Sequence, residues 1–153
     1  MQISLSEWAK GYLWCFIRMN NPELAVELED VSTRNAYLDA KVTLLKDYFD
    51  DLLARNIADE VIEELAVKPL TADLMPSRYN YILNVLRRQF PSLFKKLQHS
   101  GHTKLTALEL LKACEPDFQK YVFESEIPRC DRLYYATVLR IMQHLESSGS
   151  APC

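Results

Sequence analysis

The chain has 153 residues, 48% hydrophobic and 25% charged, with a net charge of −3. It is long enough to bury a real core as one domain, and its composition is ordinary for a globular protein. Three glycines disfavour a turn-rich β architecture, and the weak negative charge excludes any global attraction to nucleic acid or to an anionic membrane.

The first helix is predicted to open at Ser4, with Glu7 at the capping-box spacing and Ile3 and Trp8 at the staple positions. It runs to about Met19, with Leu5, Trp8, Tyr12, Phe16 and Met19 on its inward face. Leu13, Cys15 and Ile17 make it apolar almost all round, so Tyr12 or Trp14 is expected on an exposed patch or a dimer contact. Asn20-Asn21-Pro22 ends it, and Asn21 and Pro22 start a short helix over 22–28.

Residues 31–56 carry the longest unbroken helical period, with Val31, Leu38, Val42, Leu45, Phe49 and Leu52 in one series. Leu44, Tyr48 and Leu53 widen that face, no Gly or Pro interrupts it, and Asn56 is a plausible stop. This stretch is expected to be a single long central helix, to about residue 55, around which the others pack. Leu45 is expected in the core, where its truncation to Ala would cost roughly 2–5 kcal/mol.

A helix over 59–67 follows, with Ile57, Val61 and Leu65 inward and Lys68-Pro69 closing it; residues 70–76 read as a connector. Ser77 caps a helix to Phe90 with Tyr79, Ile82, Leu83, Leu86 and Phe90 inward, and Pro91 stops it. Ser92 caps a short helix through Leu97, and residues 99–102 are a turn around Gly101. Thr106 and Glu109 repeat the capping-box spacing in a helix over 104–115; Leu108, Leu111 and Phe118 form its stripe, and a separate turn runs to Tyr121. After a loop over 124–130, the last helix spans 131–146 with Tyr134, Val138, Ile141 and Leu145 inward, and the tail 147–153 is expected to fray.

Charge is unevenly placed. Residues 23–67 hold twelve acids against four bases, a local charge of −8, and residues 75–112 hold seven bases against one acid, a local charge of +6. Two solvated faces are the ordinary account of such blocks. The alternative is a polyanion-binding surface built from Arg87, Arg88, Lys95, Lys96 and Lys104, with Tyr81 and Phe94 as surface aromatics for stacking.

Other chemistry is thin. Cys15 and Cys114 read as buried thiols, and no cysteine pair has CxxC spacing. His99 and His102 straddle Gly101 without a third ligand, and His144 reads as a surface residue. Asp47, Asp50, Asp51 and Glu60 form an acidic cluster, but no Glu-x-x-His motif accompanies it. The apolar run 12–17 lacks the basic leader and cleavage site of a signal peptide, and no window is long and apolar enough for a membrane span.

Several segments together resemble a known family: Asn21-Pro22-Glu23-Leu24-Ala25; Ser77-Arg78-Tyr79 leading to Ile82 and Phe90; Cys114-Glu115-Pro116 with Phe118 and Tyr121; and Leu133-Tyr134. Their order is similar to that of an uncharacterised family of small all-helical Bacteroidetes proteins, over roughly residues 5–146. The resemblance implies an all-α fold and a setting linked to mobile elements; it brings no catalytic residues. It departs from the family at Asn21, where His is expected.

The expectation is therefore a single all-α domain over 1–153, an irregular bundle of six or seven helices, bacterial and cytoplasmic, with no catalytic, cofactor or metal residues. The leading function is a non-enzymatic interaction or regulatory domain, with an unidentified protein or a second copy as partner. Nucleic-acid binding is the alternative, and an enzyme whose site is not legible in sequence the third. No membrane insertion is expected.

Overall fold

The computed structural model describes residues 3–147, and every regular element among them is helical. Among the described residues nine α-helices occur, more than the six or seven expected, because the long central stretch divides and short segments form helices of their own. The tail expected to fray lies, beyond Ser147, outside the described residues.

The chain divides between Met75 and Pro76 into two compact units. The first holds α1 (Leu5–Asn20), α2 (Pro22–Glu27), α3 (Val31–Thr43), α4 (Lys46–Ala54), α5 (Asp59–Thr71) and a 3-10 turn (Ala72–Leu74). The second holds α6 (Arg78–Gln89), α7 (Pro91–Ser100), α8 (Thr103–Lys120) and α9 (Arg132–Ser147).

In the first unit α1 lies against α2, α3 and α5. Its buried line is Ala9, Leu13 and Ile17, which meets Leu38 and Val42 of α3, Phe49 and Leu52 of α4, and Ile62, Ala66 and Leu70 of α5. The line expected on α1 is offset: Leu5, Trp8 and Tyr12 are half-buried and Met19 is exposed. Cys15, expected inside, faces solvent. Tyr12 is half-buried and stacks between Trp8 and Phe16, at 5.4 and 6.5 Å, while Trp14 is half-covered by the Arg34 guanidinium 4.7 Å from its ring. Lys10–Asp39 and Lys41–Asp73 ion pairs tie α1 to α3 and α3 to the 3-10 turn.

The continuous helix expected over 31–56 is two helices. Leu45 N–H donates to the Val42 carbonyl three residues back, at 3.0 Å, and Leu45 takes φ −98° and ψ 2°. That tightening ends α3 and starts α4 without any Gly or Pro. The inward series largely holds, since Leu38, Val42, Phe49 and Leu52 are buried. Leu45, at the break itself, is only half-buried, and Leu44, Tyr48, Leu53 and Val31 are exposed. The buried residues of this stretch belong to the first unit's core, so its organising role is local. Asp30 accepts the Thr33 N–H at 2.9 Å to cap α3, and this hydrogen bond holds its carboxyl below the usual Asp range. Asn56 does take the left-handed conformation, φ 60°.

On α5 the buried face is Ile62, Ala66 and Leu70, one residue out of phase with the expected Val61 and Leu65, which are exposed. Pro69 does not end this helix. Pro69 and Leu65 both face water, so the Leu65 carbonyl that loses its helical partner can be solvated. Pro116 sits inside α8 in the same way, with exposed Lys112 four residues before it. The helix and turn expected over 104–121 therefore join into one, and Thr106 lies inside it, donating to the His102 carbonyl at 3.0 Å rather than capping.

In the second unit α6 and α8 each lie against the other three helices of a four-helix set. Tyr79, Tyr81, Ile82, Val85 and Leu86 of α6 meet Phe94 of α7, Leu110, Cys114 and Phe118 of α8, and Leu133, Tyr134, Ile141 and Leu145 of α9. Leu83 and Phe90, expected inside, are only half-buried. Pro91 occupies the first turn of α7 with Phe90 as its cap, which displaces Ser92 from that role, and Gly101 (φ 76°) closes α7 in the left-handed region. Asp131 caps α9 by accepting the Tyr134 N–H at 2.9 Å.

Ser77 is fully buried and accepts the Asn80 N–H at 3.0 Å, as the sequence predicts. Ser77→Ala should therefore cost about 1 kcal/mol. A Tm equal to the parent's would remove Ser77 from the capping role.

Candidate functional site

The five basic residues singled out in the sequence are all exposed, but they do not form one free basic surface. Arg87 and Arg88 stand in the last turn of α6, Lys95 and Lys96 on α7, and Lys104 in the first turn of α8. Arg87 donates to Asn84 Oδ1 at 2.9 Å and lies 4.9 Å from the Phe94 ring centroid. Arg88 donates to the Pro128 carbonyl at 3.0 Å, approaches Cys130 Sγ at 3.8 Å and lies over Tyr134 at 5.3 Å. Both guanidinium groups thus act within the unit. Lys95, Lys96 and Lys104 make no ion pair among the described residues. The proposed stacking aromatics fail: Tyr81 and Phe94 are buried because α6 and α7 turn them into the core, and burial pushes the Tyr81 phenol up to about 12.

Sequence spacing missed the polar groups that matter most to this unit. Glu126, in the loop between α8 and α9, accepts the Ser77 N–H at 2.8 Å and the Asn80 amide at 3.1 Å, and its carbonyl accepts from Asn84 at 2.9 Å. The loop is seated on the N-terminus of α6, where a carboxylate is favoured by the helix dipole and the otherwise unpaired N–H groups. These partners lie 42 to 49 residues apart, so no local pattern could announce them.

Beside that loop is a cleft of 120 Å³ lined by Tyr81, Phe123, Ser125, Arg129, Asp131 and Leu133 among others. Organic-ligand pockets are roughly 300–1,000 Å³, so this one has room for a few waters or a small ion.

On the α8–α9 seam, buried Asp117 receives two hydrogen bonds from the Arg140 guanidinium, at 3.2 and 3.3 Å. Cys114 is buried one turn away, and burial, reinforced by the Asp117 charge, pushes its thiol up to about 12. It is therefore held as the protonated thiol rather than the nucleophilic thiolate. His144 is not a bare surface residue, since its Nε2 lies 3.7 Å from Glu109. His99 lies in the last turn of α7 and His102 immediately precedes α8, on opposite sides of Gly101. Asp47, Asp50, Asp51 and Glu60 are all exposed, and Asp51 pairs with Arg55 at 3.1 Å. Among the described residues, no three His, Cys, Asp or Glu side chains gather as a metal site needs. Among the same residues, no helix is long and apolar enough to cross a membrane.

Two helices also present apolar side chains to solvent. Val61 and Leu65 line an outer face of α5, and Tyr135, Leu139 and Met142 an outer face of α9. Comparison with protein-family models, with curated proteins and with solved structures finds no match to this chain.

Proposed function

We propose that the chain is a non-enzymatic protein-interaction or regulatory domain. One observation carries this reading: apolar side chains stand exposed in helical register on α5 and α9. Apolar side chains exposed along one face of a helix favour a protein partner. The neighbouring polar clusters are meanwhile committed to internal contacts: Glu126 to α6, Asp117 to Arg140, and Arg88 to the α8–α9 loop. A bacterial, cytoplasmic setting belongs to this proposal, as does membership of the uncharacterised family that the sequence resembles; the all-α fold and the free thiols of Cys15, Cys114 and Cys130 support it.

Affinity capture from the native cell tests it with three baits: the parent, Val61→Ser with Leu65→Ser, and Leu139→Lys. A protein captured by the parent and lost with one of the face variants, at unchanged Tm, supports the proposal. Capture that is identical for all three baits, or absent for all, removes it.

Nucleic-acid binding is the second reading, supported by the exposed Lys95, Lys96 and Lys104 and weakened by the internal use of Arg87 and Arg88. No retention on heparin is expected at 0.15 M salt, where the Debye length is about 8 Å. Retention at that salt, abolished by Lys95→Glu with Lys96→Glu, would put nucleic acid first, because polyanion binding releases counterions and depends on those charges. The third reading, an enzyme, draws no support from a 120 Å³ cleft or a protonated Cys114.

A further inference from the structure

We infer that the outer face of α9 is the seam of an antiparallel dimer with a second copy of this chain. The inference rests on the interaction reading above and names the occupant of one of its faces. Along α9, Arg132, Tyr135, Leu139, Met142 and Glu146 are all exposed and follow one another at steps of three, four, three and four. That is the spacing of a two-helix seam rather than of a scattered surface. Tyr135 is 60% exposed, Leu139 55% and Met142 39%, while the inner line of the same helix, with Leu133, Thr137, Ile141 and Leu145, is already buried in its own unit. The helix thus carries a second apolar stripe outside that core, on which the Tyr135 ring stands edge-on to Tyr134 at 5.7 Å.

The ends of the stripe select the occupant. Arg132 and Glu146 carry opposite charges and bracket the three apolar residues. Neither makes an ion pair among the described residues. Leu139 sits midway, seven residues from each end, so a two-fold axis through it places Arg132 of one copy against Glu146 of the other, twice, and Leu139 against its own equivalent. A parallel pair would instead set Arg132 against Arg132 and Glu146 against Glu146. A two-fold contact is self-complementary by construction, and this stripe meets that condition in both shape and charge. The seam spans 15 residues, about 21 Å of helix from end to end. One helix pair of that length buries less than the roughly 1,200–2,000 Å² of a standard stable interface, so the dimer is a weak one.

Sedimentation velocity on the full chain tests the inference. The parent should dimerise at about 100 μM and dissociate on dilution to about 1 μM, as a micromolar association does. Leu139→Lys should be monomeric at both concentrations with Tm and far-ultraviolet circular dichroism unchanged, because Leu139 is exposed and lies outside the buried core of its unit. Arg132→Glu and Glu146→Arg should each be monomeric alone. Both changes suit the helix dipole at their own end, so neither should unfold α9. Mixed together, the two variants should form a heterodimer, since each places its new charge opposite the other's complement. A parent that stays monomeric at about 100 μM, a Leu139→Lys variant that still dimerises, or charge variants that fail to rescue each other would overturn the antiparallel seam. The capture experiment keeps the two proposals apart: a monomeric parent that loses a different protein on Leu139→Lys refutes the dimer and leaves the interaction reading standing.

Discussion

Phe118→Ala should destabilise the chain by about 3–5 kcal/mol, the range for removing a buried aromatic ring. Phe118 is the centre of a triad in the second unit: its ring lies 5.8 Å from Tyr81 and 5.1 Å from Phe123, and Tyr81 lies 5.3 Å from Phe123. All three pairs meet edge to face, at 71–73°. Each such pair contributes roughly 0.5–1.5 kcal/mol beyond the area it buries. The Arg78 guanidinium also sits 5.1 Å from the Phe118 ring and would lose its aromatic partner. Phe123 comes from the loop that Glu126 seats on α6, so truncation of Phe118 should also loosen that loop. Amide exchange over residues 122–131 should rise along with the loss of Tm. A denaturation midpoint within error of the parent's would show that the triad does not hold the second unit.

Ile62→Ala should cost about 2–5 kcal/mol, and Leu45→Ala less than the lower end of that range. Ile62 is fully buried on α5 in the core built around Ala9, Leu13 and Ile17. Leu45 is half-buried at the break between α3 and α4, and a site open to water leaves less of a cavity when truncated. Paired urea titrations measure the difference. Equal losses from the two substitutions would restore Leu45 to the core, and a negligible loss from Ile62→Ala would contradict the packing of α5 against α1.

Ile82 and Phe118 were legible as core, because α6 and α8 keep a clear apolar period. Ile62 was not. Val61 and Leu65 are as apolar as Ile62 and Ala66, and two adjacent stripes 100° apart on one helix satisfy the same spacing rule. The candidate basic site divided in the same way. Its charges were legible, but the use of Arg88 on Pro128 and Cys130 depends on residues 40 and 42 positions away.

The sequence by itself determined the helical class and most of the punctuation: the caps at Ser4 and Ser77, the start of α2 at Pro22, and the stop at Gly101. These are local events, set by side chains and dihedral preferences within one turn of the residue concerned. Tertiary structure alone decided the break at Leu45, the passage of α5 and α8 through Pro69 and Pro116, the burial of Tyr81 and Phe94, the exposure of Cys15, and the seating of Glu126 on α6. Each of these is a choice between local states of similar energy. Burial against helices distant in sequence outweighs the small local preference, and that burial is not written in any single window of the chain.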